Sequence, residues 1–279
     1  MTSRKPLPDF RDPPAVETLL GVYFPPLENW KTPYFGLFWQ EIKRDYPDVE
    51  VHPPVPAEQH IRLELNQQAA RIKVAGEVAV RWWYFHRSQK RLIQLQNGSF
   101  IQNWRKRDQS DPYLHYDELR PSFEQVWKRF LRFLNSHGVG KPNITECEVT
   151  YVNHIDRAKG WDSLGDLSNV VTSWSEGTTG GFLPSPEIVS MNVFYPIERS
   201  RGRLQVAVQP GIRQSDGQET LQLTLSARCR PESSDIRDLL KSFALGREWV
   251  VRGFADVTTE RMHAIWGQRE RKPTKRRKR

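Results

Sequence analysis

Two stretches of helical periodicity, over residues 113–136 and 235–254, each close a run of segments that alternate apolar and polar residues. In the first, Phe123, Val126, Trp127, Phe130, Leu131 and Leu134 recur at three- and four-residue steps and draw one apolar stripe, with Gly138 placed to end the helix. The run before it opens with the strand AVETLLGVYF (15–24), bracketed by Pro13-Pro14 and Pro25-Pro26. Phe35, Phe38, Trp39 and Ile42 then predict a helix over 34–46, with Thr32 as N-cap and Pro33 at its first position. After the connector HPPVPAEQ come the strand-like IRLELNQ (61–67), RWWYFH (81–86), RLIQLQ (91–96) and SFIQNW (99–104). Asn97-Gly98 joins the last two and predicts a type I′ hairpin, which needs φ > 0 at both central residues.

The second run repeats the order. ECEVTYVNHI (146–155) opens it, and a Gly/Ser-rich stretch (160–186) follows with a short helix expected around 164–171. EIVSMNVFYP (187–196), RLQVAVQP (203–210) and ETLQLTLSARC (219–229) read as strands, the last entered through an Asp216-Gly217 turn. A long helix with Ser234 at its cap closes the run, trailed by TTERMHAIWG (258–267). Such runs make an α+β protein of two tandem half-modules, each strand, helix, antiparallel strands, long helix, forming a curved antiparallel sheet with helices on one face. The expected division is a flexible N-terminus (1–12), a first half-module (13–143), a second (144–268) and a disordered basic tail (269–279).

Charge is unevenly placed. The tail holds eight Lys/Arg and one Glu, so removing its +7 from the chain's +9 leaves a body of only +2. Affinity for polyanions is therefore expected first of the tail, which has no apolar residue. Cys147 and Cys229 lie in strand-like runs without metal-ligand spacing and read as small buried hydrophobes of a reducing compartment. No apolar run approaches the roughly 18 residues of a membrane span, so the expected location is cytoplasmic.

ECEVTYVNHI concentrates carboxylates, a thiol, a hydroxyl and an imidazole, yet a strand separates them. Glu148, Thr150, Val152 and His154 share one side, and Cys147, Val149, Tyr151 and Ile155 share the core side. At roughly 3.3 Å per residue, Glu148 and His154 stand about 20 Å apart, too far for a nucleophile and its base. No C-x-x-C and no i, i+4 histidine pair support a metal. Gly138-Val139-Gly140-Lys141 is followed by Pro142 where a phosphate loop needs Ser or Thr. Arg132 and His137 match an Arg-x4-His ribonuclease spacing, but that enzyme type is an all-helical bundle. Neither enzyme activity nor a cofactor is expected.

PPAVETLLGVYFPPL, GLFWQEIKRDYP, RLIQLQNGSFIQNWR, ECEVTYVNHI and REWVVRGFADVTTERMHAIWG together resemble a family of sporadically distributed, uncharacterised prokaryotic proteins. The resemblance spans nearly the whole chain and implies no established activity and no functional residues to carry over. Its patchy distribution implies a defence or mobile-element context, and the basic tail lies beyond the family's shared region.

Three functions remain open. The first is a non-catalytic binding or adaptor protein that recognises a protein partner or self-associates, consistent with surplus aromatics such as Trp249, Phe254 and Trp266. The second is nucleic-acid binding by the sheet surface and tail, through Arg81, Trp83, Arg105, Lys106, Arg107, Lys275, Arg276, Arg277, Lys278 and Arg279. The duplicated order is similar to that of the saddle of TATA-binding-type proteins. The third is an apolar ligand carrier with its cavity between sheet and long helix. If the tail alone binds polyanions, its eight cations give log affinity against log salt a slope of roughly −6 to −7, and deleting residues 269–279 abolishes binding. Retention of DNA or RNA by residues 1–268 at about 150 mM salt in a gel-shift titration would refute this assignment to the tail.

Overall fold

The computed structural model describes residues 6–54, 80–108, 110–157, 159–175, 182–198, 201–213 and 216–269. The first half-module runs through β2 (Ala15–Tyr23), α1 (Pro33–Ile42), β3 (Asp48–His52), β4 (Arg81–Phe85), β5 (Arg91–Gln96), β6 (Ser99–Arg105) and α2 (Tyr116–Ser136). The second runs through β7 (Glu146–Asp156), a 3-10 turn (Leu164–Asn169), β8 (Met191–Ile197), β9 (Gly202–Ile212), β10 (Glu219–Cys229) and α3 (Ile236–Val257), with α4 (Glu260–Ile265) after it. A short ribbon of β1 (Asp9–Phe10) and β11 (Gln268–Arg269) joins the two chain ends. Asp9, Phe10 and Arg269 come from the segments expected to be flexible or disordered, and Phe10 is buried against Phe254 and Trp266. IRLELNQ and residues 270–279 lie outside the described residues.

One nine-stranded antiparallel sheet carries both half-modules, in the order β3-β4-β5-β6-β2-β7-β10-β9-β8. The first strand of each half pairs with the last of its own half, and the two first strands meet at the middle. Register lines up one row across the sheet through Tyr84, Ile93, Gln102, Leu20, Val149, Ala227, Leu204 and Tyr195. The helices lie on this row's side. Phe38 of α1 meets Tyr84 and Phe100, Phe123 and Phe130 of α2 meet Phe100, and Gly246 of α3 lies over Val149 and Ala227. β10 shows why the strands pair this way: Leu221, Leu223, Leu225, Ala227 and Cys229 are buried beneath α3, while Gln222, Thr224, Ser226 and Arg228 turn to the opposite, open face. Cys147 and Cys229 are free, buried and directly opposite each other, and burial pushes both thiols up, Cys229 to about 12.

Three local expectations change. The Asn97-Gly98 turn is not type I′, because only Gly98 has positive φ (122°). Asn97 instead accepts a hydrogen bond from the Leu27 N–H at 2.8 Å and so pins the loop leading to α1. Ser234 does not cap α3: the N-cap is Asp235, and the Ser234 hydroxyl accepts the Ile144 N–H at 2.9 Å. Thr32 does stand at the N-cap of α1 with Pro33 at the first position, as expected, though its side chain makes no cap bond. The short helix of the second half is a 3-10 turn, closed by a capping box between Ser163 and Asp166. The aromatic run on β4 is covered on both faces, Trp82 stacking on Phe35 and Tyr84 bonding the Phe35 carbonyl at 3.0 Å, while Phe85 on the other side is buried beneath Arg105.

At the β2–β7 seam the open face closes over Glu148, which is 7 % exposed. Tyr23 of the first half donates to Glu148 Oε2 at 2.6 Å, and Arg228 Nη2 approaches the same oxygen at 2.9 Å. Thr150 and Ser226 donate to Oε1 at 2.7 and 3.0 Å, and the Arg228 guanidinium also lies over the Tyr23 ring at 4.6 Å. Burial pushes the Glu148 carboxyl up, but Arg228 and the three hydroxyls outweigh it and hold the group below its usual range.

Removing the carboxylate strands Arg228, so Glu148→Ala is expected to lose about 3–5 kcal/mol in urea unfolding, and Glu148→Ala with Arg228→Met to recover much of that. A loss under about 1 kcal/mol would contradict the role given to this pair. Because the folded pKa is depressed, the stabilisation is complete above the unfolded value of about 4.5 and disappears as pH falls through the folded pKa. Wild-type protein should therefore lose stability below that pH more steeply than Glu148→Gln. A second variant probes the β9–β10 approach: a Cβ at Gly202 would fall on the Arg228 carbonyl oxygen, so Gly202→Ala is expected to lower stability by about 1–3 kcal/mol or more, and an unchanged melting temperature would rule the contact out.

Candidate functional site

The open face holds the residues singled out for nucleic acid, but not as one basic patch. Arg81 and Trp83 project from β4 onto the same side as Arg105 at the end of β6. Arg81 donates to Gln94 at 3.0 Å, Gln94 to Asn103 at 2.9 Å, and Asn103 to Glu17. Burial pushes the Glu17 carboxyl up against the opposing effects of Asn103 and Arg105, and it lowers both guanidiniums, Arg81 and Arg105. The Trp83 ring is already engaged, stacked by His52 at 4.0 Å and covered by Arg81 at 5.2 Å. Arg105 covers Phe85 at 5.1 Å, one β4 length from Arg81. Asp48, Glu50, Glu17, Glu146 and Glu148 lie on the same face and oppose Arg81, Arg105, Arg203 and Arg228. Lys106 and Arg107 leave the sheet in the loop after β6, and Lys275, Arg276, Arg277, Lys278 and Arg279 lie outside the described residues.

The polar side of ECEVTYVNHI has partners from elsewhere without becoming reactive. Ser226 beside Glu148 has the outline of a nucleophile and base. The carboxylate, however, is nearly inaccessible and held in its ionised form by Arg228, which makes it a poor proton acceptor. His154, farther along β7, is half-buried near Gln222, and burial lowers its pKa. Among the described residues no group of three or more His, Cys, Asp or Glu is placed to hold a metal ion, and no helix is long and apolar enough to cross a membrane.

The other face carries a concavity. A cleft of about 630 Å³ opens between α3 and the β8–β9 margin of the sheet. Its floor is Ile197 and Leu204, both buried, and its walls are Tyr195 of β8 and Leu245 and Trp249 of α3. Leu245, Trp249, Arg252 and Asp256 fall at i, i+4, i+7 and i+11 and so form one stripe along α3, flanked by Glu248. α3 can lie this low because Gly253 faces the sheet: a Cβ there would stand 2.7 Å from Leu204 Cδ2. Thr172 and Ser173 close one end, held where Thr172 N–H donates to the Val257 carbonyl at 3.0 Å and its hydroxyl to that of Asp256 at 3.0 Å.

A smaller cavity of about 100 Å³ lies under β1 among Tyr113, Tyr116, Tyr151 and Arg247, where the Tyr116 hydroxyl and Arg247 Nε have no hydrogen-bond partner among the described residues.

Sequence reasoning picked out Trp249 as a surplus aromatic but did not place it. Of its two companions, Phe254 and Trp266 pack on Phe10 in the core, and only Trp249 faces the cleft. The sequence pointed the other way: Leu164, Leu167 and Val171 repeat the i, i+3, i+7 spacing of Phe35, Phe38 and Ile42 and so predicted a covering helix, which the structure replaces with the 3-10 turn. Set against family models and curated proteins, the sequence matches none, so the geometry of the cleft and of the open face carries the functional reading.

Proposed function

We propose that this protein is a non-catalytic binding or adaptor protein that recognises a protein partner in the cleft between α3 and β8–β9. One observation carries this reading: apolar walls, Tyr195, Leu245 and Trp249, stand partly open beside charged rim residues, Glu198, Arg201 and Arg252. An apolar centre with a polar rim is the anatomy of protein interfaces, and Trp, Tyr and Arg are their usual energetic anchors. A small apolar ligand would suit the volume but leaves the charged stripe of α3 without a role. Nucleic acid on the open face is the second reading, favoured by Arg81, Trp83 and Arg105 sharing that side. It is weakened by rings already stacked and by carboxylates among the arginines.

Tagged full-length protein is expected to co-purify a protein from its native host, and Leu245→Arg, placing a charge on the cleft wall, is expected to reduce that recovery by about tenfold or more. The same partner recovered equally by both forms would remove the cleft from the account. Nucleic acid held by residues 1–268 at about 150 mM salt would favour the open face instead.

A further inference from the structure

The second half-module lacks an element that the first one has, and the cleft marks its place. In the first half α1 lies across β4 and against α2. Phe38 meets Tyr84 of β4 at 5.9 Å and Phe130 and Phe133 of α2 at 5.3 and 5.4 Å, while Phe35 stacks on Trp82 at 5.6 Å. Strand order makes β8 the counterpart of β4, β9 of β5, β10 of β6 and β7 of β2, with α3 the counterpart of α2. Tyr195 sits in the same register row as Tyr84, so Tyr195 and Trp249 form the two walls against which a helix like α1 would pack. Among the described residues no helix lies there. The connection that should supply one makes its 3-10 turn at the far end of α3 instead, where Val171 bridges Thr258 and the Thr259 N–H donates to the Val170 carbonyl at 3.1 Å.

Charge narrows the occupant. At the rim Arg252 is paired with Glu248 at 3.1 Å and Arg201 approaches Glu232 at 3.9 Å. Glu198 and Asp256 have no cationic partner among the described residues, and the described lining sets three carboxylates, Glu198, Glu248 and Asp256, against two guanidiniums, Arg201 and Arg252. The charged stripe of α3 runs along the groove, parallel to where a docked helix would lie. A helix in a groove is read by anchors at i, i+3 and i+7, the spacing of Phe35, Phe38 and Ile42 in α1.

We infer that the cleft receives an amphipathic helix of a partner protein, apolar on one side and basic on the other, in the position that α1 occupies in the first half-module. This rests on the cleft being the partner site. The docked helix completes the helical layer over β8 and β9, and its cations meet Glu198 and Asp256.

The probes are two fluorescein-labelled peptides with the same helical leucine spacing, one with lysine and the other with glutamate at the remaining positions, titrated into the full chain and followed by anisotropy. The basic tail attracts the glutamate peptide wherever it binds, so the signal compared is the part removed by Leu245→Arg. In that part the lysine peptide is expected to bind about tenfold or more tightly than the glutamate peptide, and a lysine peptide broken by central prolines is expected not to bind. Glu198→Lys with Asp256→Lys, both at the rim and outside the core, is expected to reverse the preference while leaving the melting temperature close to wild type. Equal cleft-dependent binding of both peptides, or binding of the proline-broken peptide as tightly as its helical parent, overturns the inference. So does displacement-resistant occupancy by a small apolar dye without any peptide binding, or self-association of the chain that Leu245→Arg abolishes. If these outcomes occur while the native partner is still lost from Leu245→Arg, the helix is wrong and the partner site stands. If the partner is retained, both are wrong.

Discussion

Glu148 is a carboxylate nearly out of reach of solvent at the middle of a nine-stranded sheet, and while it stays charged it ties the two half-modules together across their seam. Burial alone would favour the protonated acid. Arg228 and three hydroxyls reverse that preference, and one of those hydroxyls, Tyr23, comes from the other half-module, 125 residues earlier in the chain. Separating β2 from β7 would therefore break a backbone ladder and also leave a buried charge short of donors. The opposite face is joined as well, since Phe123 of α2 meets Phe243 of α3 at 5.0 Å. With both faces coupled across the seam, the two halves form one core, and a substitution at Glu148 is expected to be felt in each.

Within that shared frame the halves differ at their outer margins. The first half covers its strands with α1 and adds β3 as a fifth strand. The second half has four strands, no α1 counterpart among the described residues, and a cleft. The difference lies at the margin farthest from the seam, away from Glu148 and the Phe123–Phe243 contact. The same logic explains the contrast between faces: the open face uses its polar residues on one another, in the Arg81–Gln94–Asn103–Glu17 chain and around Glu148, whereas the α3 stripe leaves apolar and acidic groups outward.

Period-2 and period-3.6 patterns made the elements legible. ETLQLTLSARC is β10 at both ends, AVETLLGVYF overruns β2 by one residue, and Cys147, Val149 and Tyr151 are buried on the side that alternation assigned them. The long helix α2 starts at Tyr116 and not at residue 113, because Tyr113 turns inward to meet Trp104 at 5.5 Å. Features that depend on distant partners were not legible. Asn97 could not be known to bond Leu27, so its turn was assigned from local preference alone, and Tyr23 could not be paired with Glu148. The cleft was hidden in the sequence, because Leu164, Leu167 and Val171 have the spacing of a covering helix and only the fold shows that they make a 3-10 turn instead. Arg81, Trp83 and Arg105 were named together as possible contacts of the sheet surface, and they do share one side of it, but their neighbours' stacking and opposing charge had no sequence signature.

The edge of the sheet beside the cleft follows from the same asymmetry. β4 is paired on its outer side by β3, a strand carrying Asp48 and Glu50, whereas β8, its counterpart, ends the sheet with the uncharged run Met191–Ile197. An uncharged edge strand is a template for pairing unless something blunts it. Pro196 removes one donor from β8, and Arg203 covers Phe194 at 5.6 Å from the neighbouring strand. Both devices act on the edge and the open face, while Tyr195, on the helix side, stays 37 % exposed. The margin is thus guarded against another strand and left open to a side-chain contact from above, as a groove for a helix requires.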